Sequence, residues 1–351
     1  MAADFRSDTL TKPTPAMRDA MARAEVGDDV FGEDPTIQSL EAEAAAALGF
    51  AAAVYVPSGT MANQIAIHVH CRPGDELICE ERSHVYQFEG GSMARLSGTQ
   101  ARLLAAADGF PTPDQLAPAM RRDDVHYPRS RLLVIENTHN MAGGRVLRPA
   151  AMQALVAEAG RLGLRVHVDG ARIGNAAVAA GCGIADLTRG TDSVSMCLSK
   201  GLGAPVGSLL AGSADFVREA RRARKAFGGG MRQAGVLAAA GLLALREGLA
   251  LLAVDHARAR RMAQAFAGLP GLGVDLAAVE TNILMVDLRD AEASALLTFL
   301  VEREVRALAV GPRRIRFVTH RDLTDADEQC CVDAVTEWAT LASHSSSRTQ
   351  P

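Results

Sequence analysis

Ser193-Val194-Ser195-Met196-Cys197-Leu198-Ser199-Lys200-Gly201-Leu202-Gly203-Ala204-Pro205 is the stretch on which the reading of the fold turns. It opens as a short, β-leaning, mostly apolar run and ends in Ser-Lys before a glycine-rich loop. That is the pattern of a buried strand that gives out at Lys200. In an α/β sheet the carboxyl ends of strands are where ligands bind. A lysine in a desolvated pocket loses its proton more readily and becomes a nucleophilic amine able to form a Schiff base. The plainer alternative is a surface lysine at a strand end. Lysine is scarce, occurring only as Lys12, Lys200 and Lys225 in a chain that otherwise uses arginine, and this favours a dedicated task for Lys200.

Working outward, strands and helices alternate. Asp34-Pro35 supplies an N-cap and an N1 proline, and Gly49 a C-terminal stop, around an alanine-rich helix. Residues 52–56 read as a strand, which Pro57-Ser58-Gly59-Thr60 turns into a helix from about Met61. Small residues there leave backbone N–H groups free at the positive end of a helix dipole, a site for an anion such as phosphate, or else a plain strand-to-helix turn. Further strands are expected at 76–79, 131–135, 165–168 (ending in Asp169-Gly170-Ala171-Arg172) and 207–211, with a loop carrying His84 and a helix at 149–162. Such alternation predicts an α/β fold with a mostly parallel sheet and helices on both faces. Ser58, Gly59, Thr60, Asp169, Arg172 and Lys200 all follow strand ends, which share one edge in such a sheet. Long helical stretches are expected up to about Leu269. A small α+β unit then follows, with strands near 283–286 and 314–318 and helices near 291–303 and 325–342.

The 351 residues are 48% hydrophobic and 22% charged, enough for a large and a smaller domain. We expect a large domain over 1–250 including the N-terminal segment, a small C-terminal domain over 251–343, and a disordered tail over 344–351. A formal net charge of -4 gives no basic footprint for nucleic acid. The six cysteines form no CxxC pair and suit a reducing cytosol, so a cytoplasmic location is expected. No apolar leader is visible. The apolar region from Gly235 to Val254 is interrupted by Arg246 and Glu247, so no membrane association is expected.

A Schiff-base lysine, a phosphate cradle and a buried carboxylate together suit pyridoxal 5′-phosphate. The lysine attaches the cofactor, and the carboxylate holds a proton on the pyridine nitrogen. Nearly the whole chain resembles the L-threonine aldolases (low-specificity and L-allo-threonine aldolases) of the β-eliminating lyase group, which have the aspartate-aminotransferase-like fold, type I. The residues that carry the resemblance are Arg6-Ser7-Asp8-Thr9, the run from Gly27 to Thr36, Pro57 to Gln64, Glu136-Asn137-Thr138-His139-Asn140, His167 to Arg172, Ser199-Lys200-Gly201-Leu202, and Gly228 to Gln233.

The resemblance implies retro-aldol cleavage of a β-hydroxy-α-amino acid to glycine and an aldehyde, a role in glycine biosynthesis. It implies that Lys200 attaches the cofactor, Asp169 faces its ring nitrogen, and Ser58, Gly59 and Thr60 hold its phosphate. Arg232 would reach a phosphate across a subunit boundary, so a homo-oligomer is implied, a tetramer built as a dimer of dimers. Ser7, Arg172 and Arg316 resemble the substrate-carboxylate site. His84 resembles the histidine stacked on the ring near the substrate hydroxyl, and His126 a second histidine near that hydroxyl. Paired arginines suit a carboxylate clamp, and an imidazole titrates in the range needed to take the hydroxyl proton. For His84 a purely aromatic platform, and for His126 a plain loop histidine, stay as alternatives. Two departures stand out: Phe31 where the family often has tyrosine, and a longer turn at Met141-Ala142-Gly143-Gly144. Rival functions are a β-lyase, racemase or transaminase on the same fold. A metal-dependent hydrolase built on His68, His70, His126, His139 or His167 with Asp169 is a more distant one.

Overall fold

The computed structural model describes residues 2–347. Its centre is a seven-stranded sheet. The strands are Ala52–Val56 (β1), Glu76–Glu80 (β2), Gln100–Leu104 (β3), Ser130–Glu136 (β4), Arg165–Gly170 (β5), Ser193–Cys197 (β6) and Ser208–Gly212 (β7). Their spatial order is β1-β7-β6-β5-β4-β2-β3. Only β7 runs against its neighbours β1 and β6; the other pairs, β6–β5, β5–β4, β4–β2 and β2–β3, are parallel. β1, β2, β4, β5 and β6 therefore end on one edge.

Every residue of β2, β6 and β7 is buried, as expected of strands covered on both faces by helices. Pro35–Leu48 (α1) begins where the Asp34 carboxylate accepts the Ile37 N–H at 3.0 Å and ends on Gly49, whose φ of 75° makes the left-handed stop. Gly59–His70 (α2) is capped by Ser58, whose Oγ accepts the Met61 N–H at 3.2 Å. Such caps are worth about 1 kcal/mol each and set where the helix starts. Pro149–Arg161 (α3) opens on its expected proline.

The long helix Gly235–Ala267 (α4) runs unbroken through residue 250. By length and composition it is apolar enough to cross a membrane. In the fold, its portion up to Leu252 packs into the core of the large sheet through Ala238, Ala240, Ala244 and Leu252. Its second half enters a separate core through Ala259, Met262, Ala263 and Phe266. That second core is covered by the antiparallel sheet of Leu272–Gly273 (β8), Ile283–Leu288 (β9), Leu308–Gly311 (β10) and Arg314–Val318 (β11), with Ala293–Val301 (α5) and Asp325–Ser347 (α6). Ala3 and Phe5 belong to it as well, through a parallel pairing of Ala3–Asp4 with Val305–Arg306. The N-terminal segment thus lies with the C-terminal unit and passes from it towards the edge of the large sheet. Residues 344–347, expected in a disordered tail, continue α6, since neither glycine nor proline interrupts the chain between Pro312 and Pro351. Residues 348–351 lie outside the described residues.

Candidate active site

The residues that follow β1, β2, β4, β5 and β6 lie at one edge, and those that follow β1, β2, β4 and β5 are joined by a continuous hydrogen-bond network. Asp169, at the end of β5, is buried; its Oδ2 accepts an N–H from Asn63 of α2 at 2.8 Å and its Oδ1 accepts the Ala171 N–H at 3.1 Å. The second Asn63 N–H goes to Glu89 Oε1 at 2.8 Å, and Gln64 donates to Glu89 Oε2 at 2.6 Å. Glu89 in turn meets His84 Nδ1 at 2.8 Å. The backbone N–H of His84 donates to Glu136 at 2.6 Å, whose other oxygen accepts the Asn140 N–H at 2.8 Å. Asn140 Oδ1 accepts from Arg316 Nη1 at 2.7 Å.

Burial alone would lower the His84 pKa. The hydrogen bond to Glu89 and the charges of Asp169, Glu89 and Glu136 outweigh it and raise the value above the ordinary 6.5. Arg316 is the opposite case. Burial, reinforced by the charge of Arg172 and only partly offset by Asp8, pulls it down to about 10. It is 8% exposed, its Nε has no partner, and no carboxylate pairs with it among the described residues. Buried arginines are ordinarily paired with an anion, so this guanidinium is prepared for one.

Arg172, expected with Ser7 and Arg316 at the substrate carboxylate, is already paired with a carboxylate of the chain itself. Its Nε and Nη2 donate to both oxygens of Asp8 at 2.7 Å, and both residues are buried. Desolvation would raise the Asp8 pKa, but Arg172 wins and holds it at about 2. Ser7 caps the short turn that presents Asp8, its Oγ accepting from Thr9. Lys200 is half-buried, lines a small cleft with Arg172 and Asn175, and contributes its charge to Asp8. Its carbonyl accepts the Thr11 hydroxyl at 2.9 Å.

At the start of α2 the N–H groups of Gly59 and Thr60 precede the first intrahelical acceptor. A Cβ at Gly59 would meet Cys197 Sγ at 2.7 Å, so the backbone here approaches β6 more closely than any other residue type allows. Ser58 uses its hydroxyl as the cap. These groups fit pyridoxal 5′-phosphate: an anion site at a helix N-terminus, a half-buried lysine, a buried carboxylate, and an arginine awaiting an anion.

Two expected site residues are not brought in. His126 lies in the loop before β4, on the opposite edge of the sheet. Its imidazole is 82% exposed and meets Asp124 at 2.7 Å. The nearby Arg121 pairs with Glu76 at the start of β2, marking that edge. Arg232 is half-exposed and pairs with Asp28 at 3.0 Å. The histidines of the metal-hydrolase alternative do not converge on Asp169 as a ligand set: His68 packs on Phe227, His139 pairs with buried Glu80, and His70 and His167 both bond to Ser193. Glu89, Glu136 and Asn63 are the hub residues that motif reading left without roles.

The strand order with its single antiparallel member, and a lysine, a carboxylate and a helix N-terminus at one edge, define the type I fold of pyridoxal-phosphate enzymes. The family model described as "Beta-eliminating lyase" matches residues 4–291, and the chain belongs to that family. It is 44% identical over 322 residues to the low specificity L-threonine aldolase of Escherichia coli K12, covering 92% of this chain and 94% of that one. It is 42% identical over 331 residues to low-specificity L-threonine aldolase 1 of Arabidopsis thaliana, covering 92% of each. Among solved structures, the threonine aldolase of Leishmania major superposes with a TM-score of 0.82 at 20% identity, covering 96% of this chain and 99% of that one.

Proposed function

We propose that this chain is a pyridoxal-phosphate-dependent lyase that cleaves L-threonine, L-allo-threonine and related β-hydroxy-α-amino acids to glycine and an aldehyde. The observation that carries the reading is Arg316, a buried guanidinium without an anion, tied through Asn140 and Glu136 to His84 and close enough to Arg172 to feel its charge. The names of the relatives at 42% and 44% identity support it.

When bound, the cofactor supplies an electron sink for breaking the Cα–Cβ bond. The protein's own groups divide the rest. Lys200 would attach the cofactor, Asp169 would hold a proton on its ring nitrogen, and the N–H groups of Gly59 and Thr60, with Ser58, would take its phosphate. Arg316 binds the substrate carboxylate by paired N–H donors. Arg172, held by Asp8 and positioned with Ser7, completes the positive side of that pocket. His84 accepts the proton of the β-hydroxyl, with Glu89 orienting its ring and stabilising the imidazolium that results.

His126 stands on the far edge of the sheet, so a role at the hydroxyl requires a neighbouring copy of the chain. We propose a homo-oligomer, a dimer of dimers, in which His126 and Arg232 serve another subunit's site. The 98% exposed Val125 beside His126 and the 74% exposed Phe31 support such contacts. Six unpaired cysteines suit a reducing cytosol, where the enzyme would contribute to glycine supply.

Product analysis tests the function. L-threonine, L-allo-threonine and phenylserine are incubated in parallel with the cofactor-loaded protein. Equimolar glycine and aldehyde are expected from all three, with strictness at Cα and laxity at Cβ. Oxo acid and ammonia, or racemised substrate, would replace this reading by one of its rivals.

A further inference from the structure

Behind Asp169 lies a row of polar side chains that the proposed chemistry does not use. His167 and Asp169 alternate on β5, so both point to one face of the sheet. Ser193 and Ser195 do the same on β6, and the pairing register sets His167 beside Ser193 and Asp169 beside Ser195. Asn63 and His70 stand seven residues, two turns, apart on α2, which crosses that face. The result is a continuous line. Asn63 Nδ2 donates to Asp169 Oδ2 at 2.8 Å. Asn63 Oδ1 meets Ser195 Oγ at 2.8 Å and His167 Nε2 at 3.2 Å. His167 Nδ1 meets Ser193 Oγ at 2.8 Å, and Ser193 Oγ meets His70 Nε2 at 2.8 Å. His70 is fixed by stacking on Phe216, ring centroids 4.8 Å apart.

The hydrogens in this line follow from donor and acceptor counting. The amide of Asn63 spends both N–H groups on the carboxylates of Asp169 and Glu89; turned over, it would set its oxygen against two carboxylate oxygens. Its Oδ1 is therefore an acceptor, and His167 must carry its proton on Nε2. Burial pushes His167 down to about 3, with the nearby His70 adding to the effect against the opposing charge of Asp169. His167 is therefore neutral, and its Nδ1 accepts the Ser193 hydroxyl proton. That proton being spent, Ser193 Oγ accepts from His70 Nε2–H. Burial takes His70 to about 4, with Asp192 opposing and Arg165 assisting, so it too is neutral. Every hydrogen bond in the row donates in the direction of Asp169.

We infer that His70, Ser193, His167 and Asn63 form a one-way row of donors that positions the Asp169 carboxylate and keeps it an acceptor towards the cofactor's ring nitrogen, with His167 the positioning residue at its centre. The inference rests on the cofactor reading above. Its role is orientation: a buried carboxylate next to Glu89 needs its donors fixed, and a row of mutually polarised hydrogen bonds fixes them more firmly than an isolated amide.

Side-chain 15N–1H correlation spectra of histidine-labelled, cofactor-free wild type decide the polarity without any turnover. Both His167 and His70 are expected as neutral Nε2–H tautomers between pH 6 and pH 8. His167 as the Nδ1–H tautomer or as imidazolium overturns the inference. The role is read from variants of the loaded enzyme. His167→Leu should lower kcat by about tenfold, the worth of one hydrogen bond, with KM little changed and the visible absorption band of the cofactor displaced. His167→Gln, which restores an N–H donor to Asn63, should recover most of the loss. Unchanged kcat and absorption in His167→Leu, or a Gln variant no better than Leu, overturns the role. Failure of the wild type to take up pyridoxal phosphate would sink the functional reading instead, and the tautomers would still report on the row.

Discussion

Replacing Glu89 with glutamine isolates what makes His84 a base. The carboxylate is buried and lies 2.8 Å from His84 Nδ1. Burial depresses the imidazole pKa; the hydrogen bond to Glu89, with the charges of Asp169, Glu89 and Glu136, reverses that and raises it above 6.5. A proton acceptor must be neutral, so activity is lost as pH falls through this raised value. Glutamine preserves shape and removes one charge. A hydrogen bond to a charged partner is worth about 1.5–3 kcal/mol, or ~1–2 pH units. The imidazole is 31% exposed, and solvent screening brings the expectation to the lower end, about one unit. The acid limb of the kcat/KM profile on L-threonine should therefore move down by about one pH unit in Glu89→Gln. The basic limb should stay in place. An acid limb that stays put or moves up refutes the assignment of His84 as the base tuned by Glu89.

Arg172→Ala should cost stability before it costs binding: it strands buried Asp8, a loss of about 3–5 kcal/mol in urea unfolding, and Asp8→Asn added to it should recover part. In the wild type the Asp8 contribution, about 2 kcal/mol, is present above pH ~4 and lost as pH falls towards about 2; unfolding midpoints flat across that window would contradict the pairing. Arg316→Ala should raise KM by the equivalent of about 2–5 kcal/mol while unfolding and cofactor absorption stay as in the wild type, and an unchanged KM would remove it from the carboxylate site. His126→Phe should leave the unfolding midpoint within about 0.5 kcal/mol, as for an exposed side chain, yet alter the threonine to allo-threonine ratio of kcat/KM in the oligomer. An unaltered ratio would make His126 a loop residue only.

Much of the fold was legible because strands buried on both faces are short apolar runs and helices here carry their own punctuation, as Asp34, Pro35 and Gly49 do around α1. β3 escaped because it is an edge strand with the mixed pattern Gln100-Ala101-Arg102-Leu103-Leu104, half open to solvent. Lys200, Asp169 and Gly59 were legible because each follows a strand, and strand ends of a parallel sheet converge. The same logic explains His126: it precedes a strand, so it lies on the other edge. The pairing of Arg172 with Asp8 was not legible because the two are 164 residues apart, and no local pattern records it. Glu89 sits between two short helices without periodicity, and only the folded chain shows that it holds Asn63, Gln64 and His84 together.

The account stands most directly on Lys200. The protein is loaded with pyridoxal 5′-phosphate, reduced with borohydride, digested and mapped by mass spectrometry. The phosphopyridoxyl group is predicted on Lys200 alone, and Lys200→Ala, still folded, should lose both the label and the visible absorption. Labelling at Lys12 or Lys225, or a yellow and active Lys200→Ala variant, would contradict it.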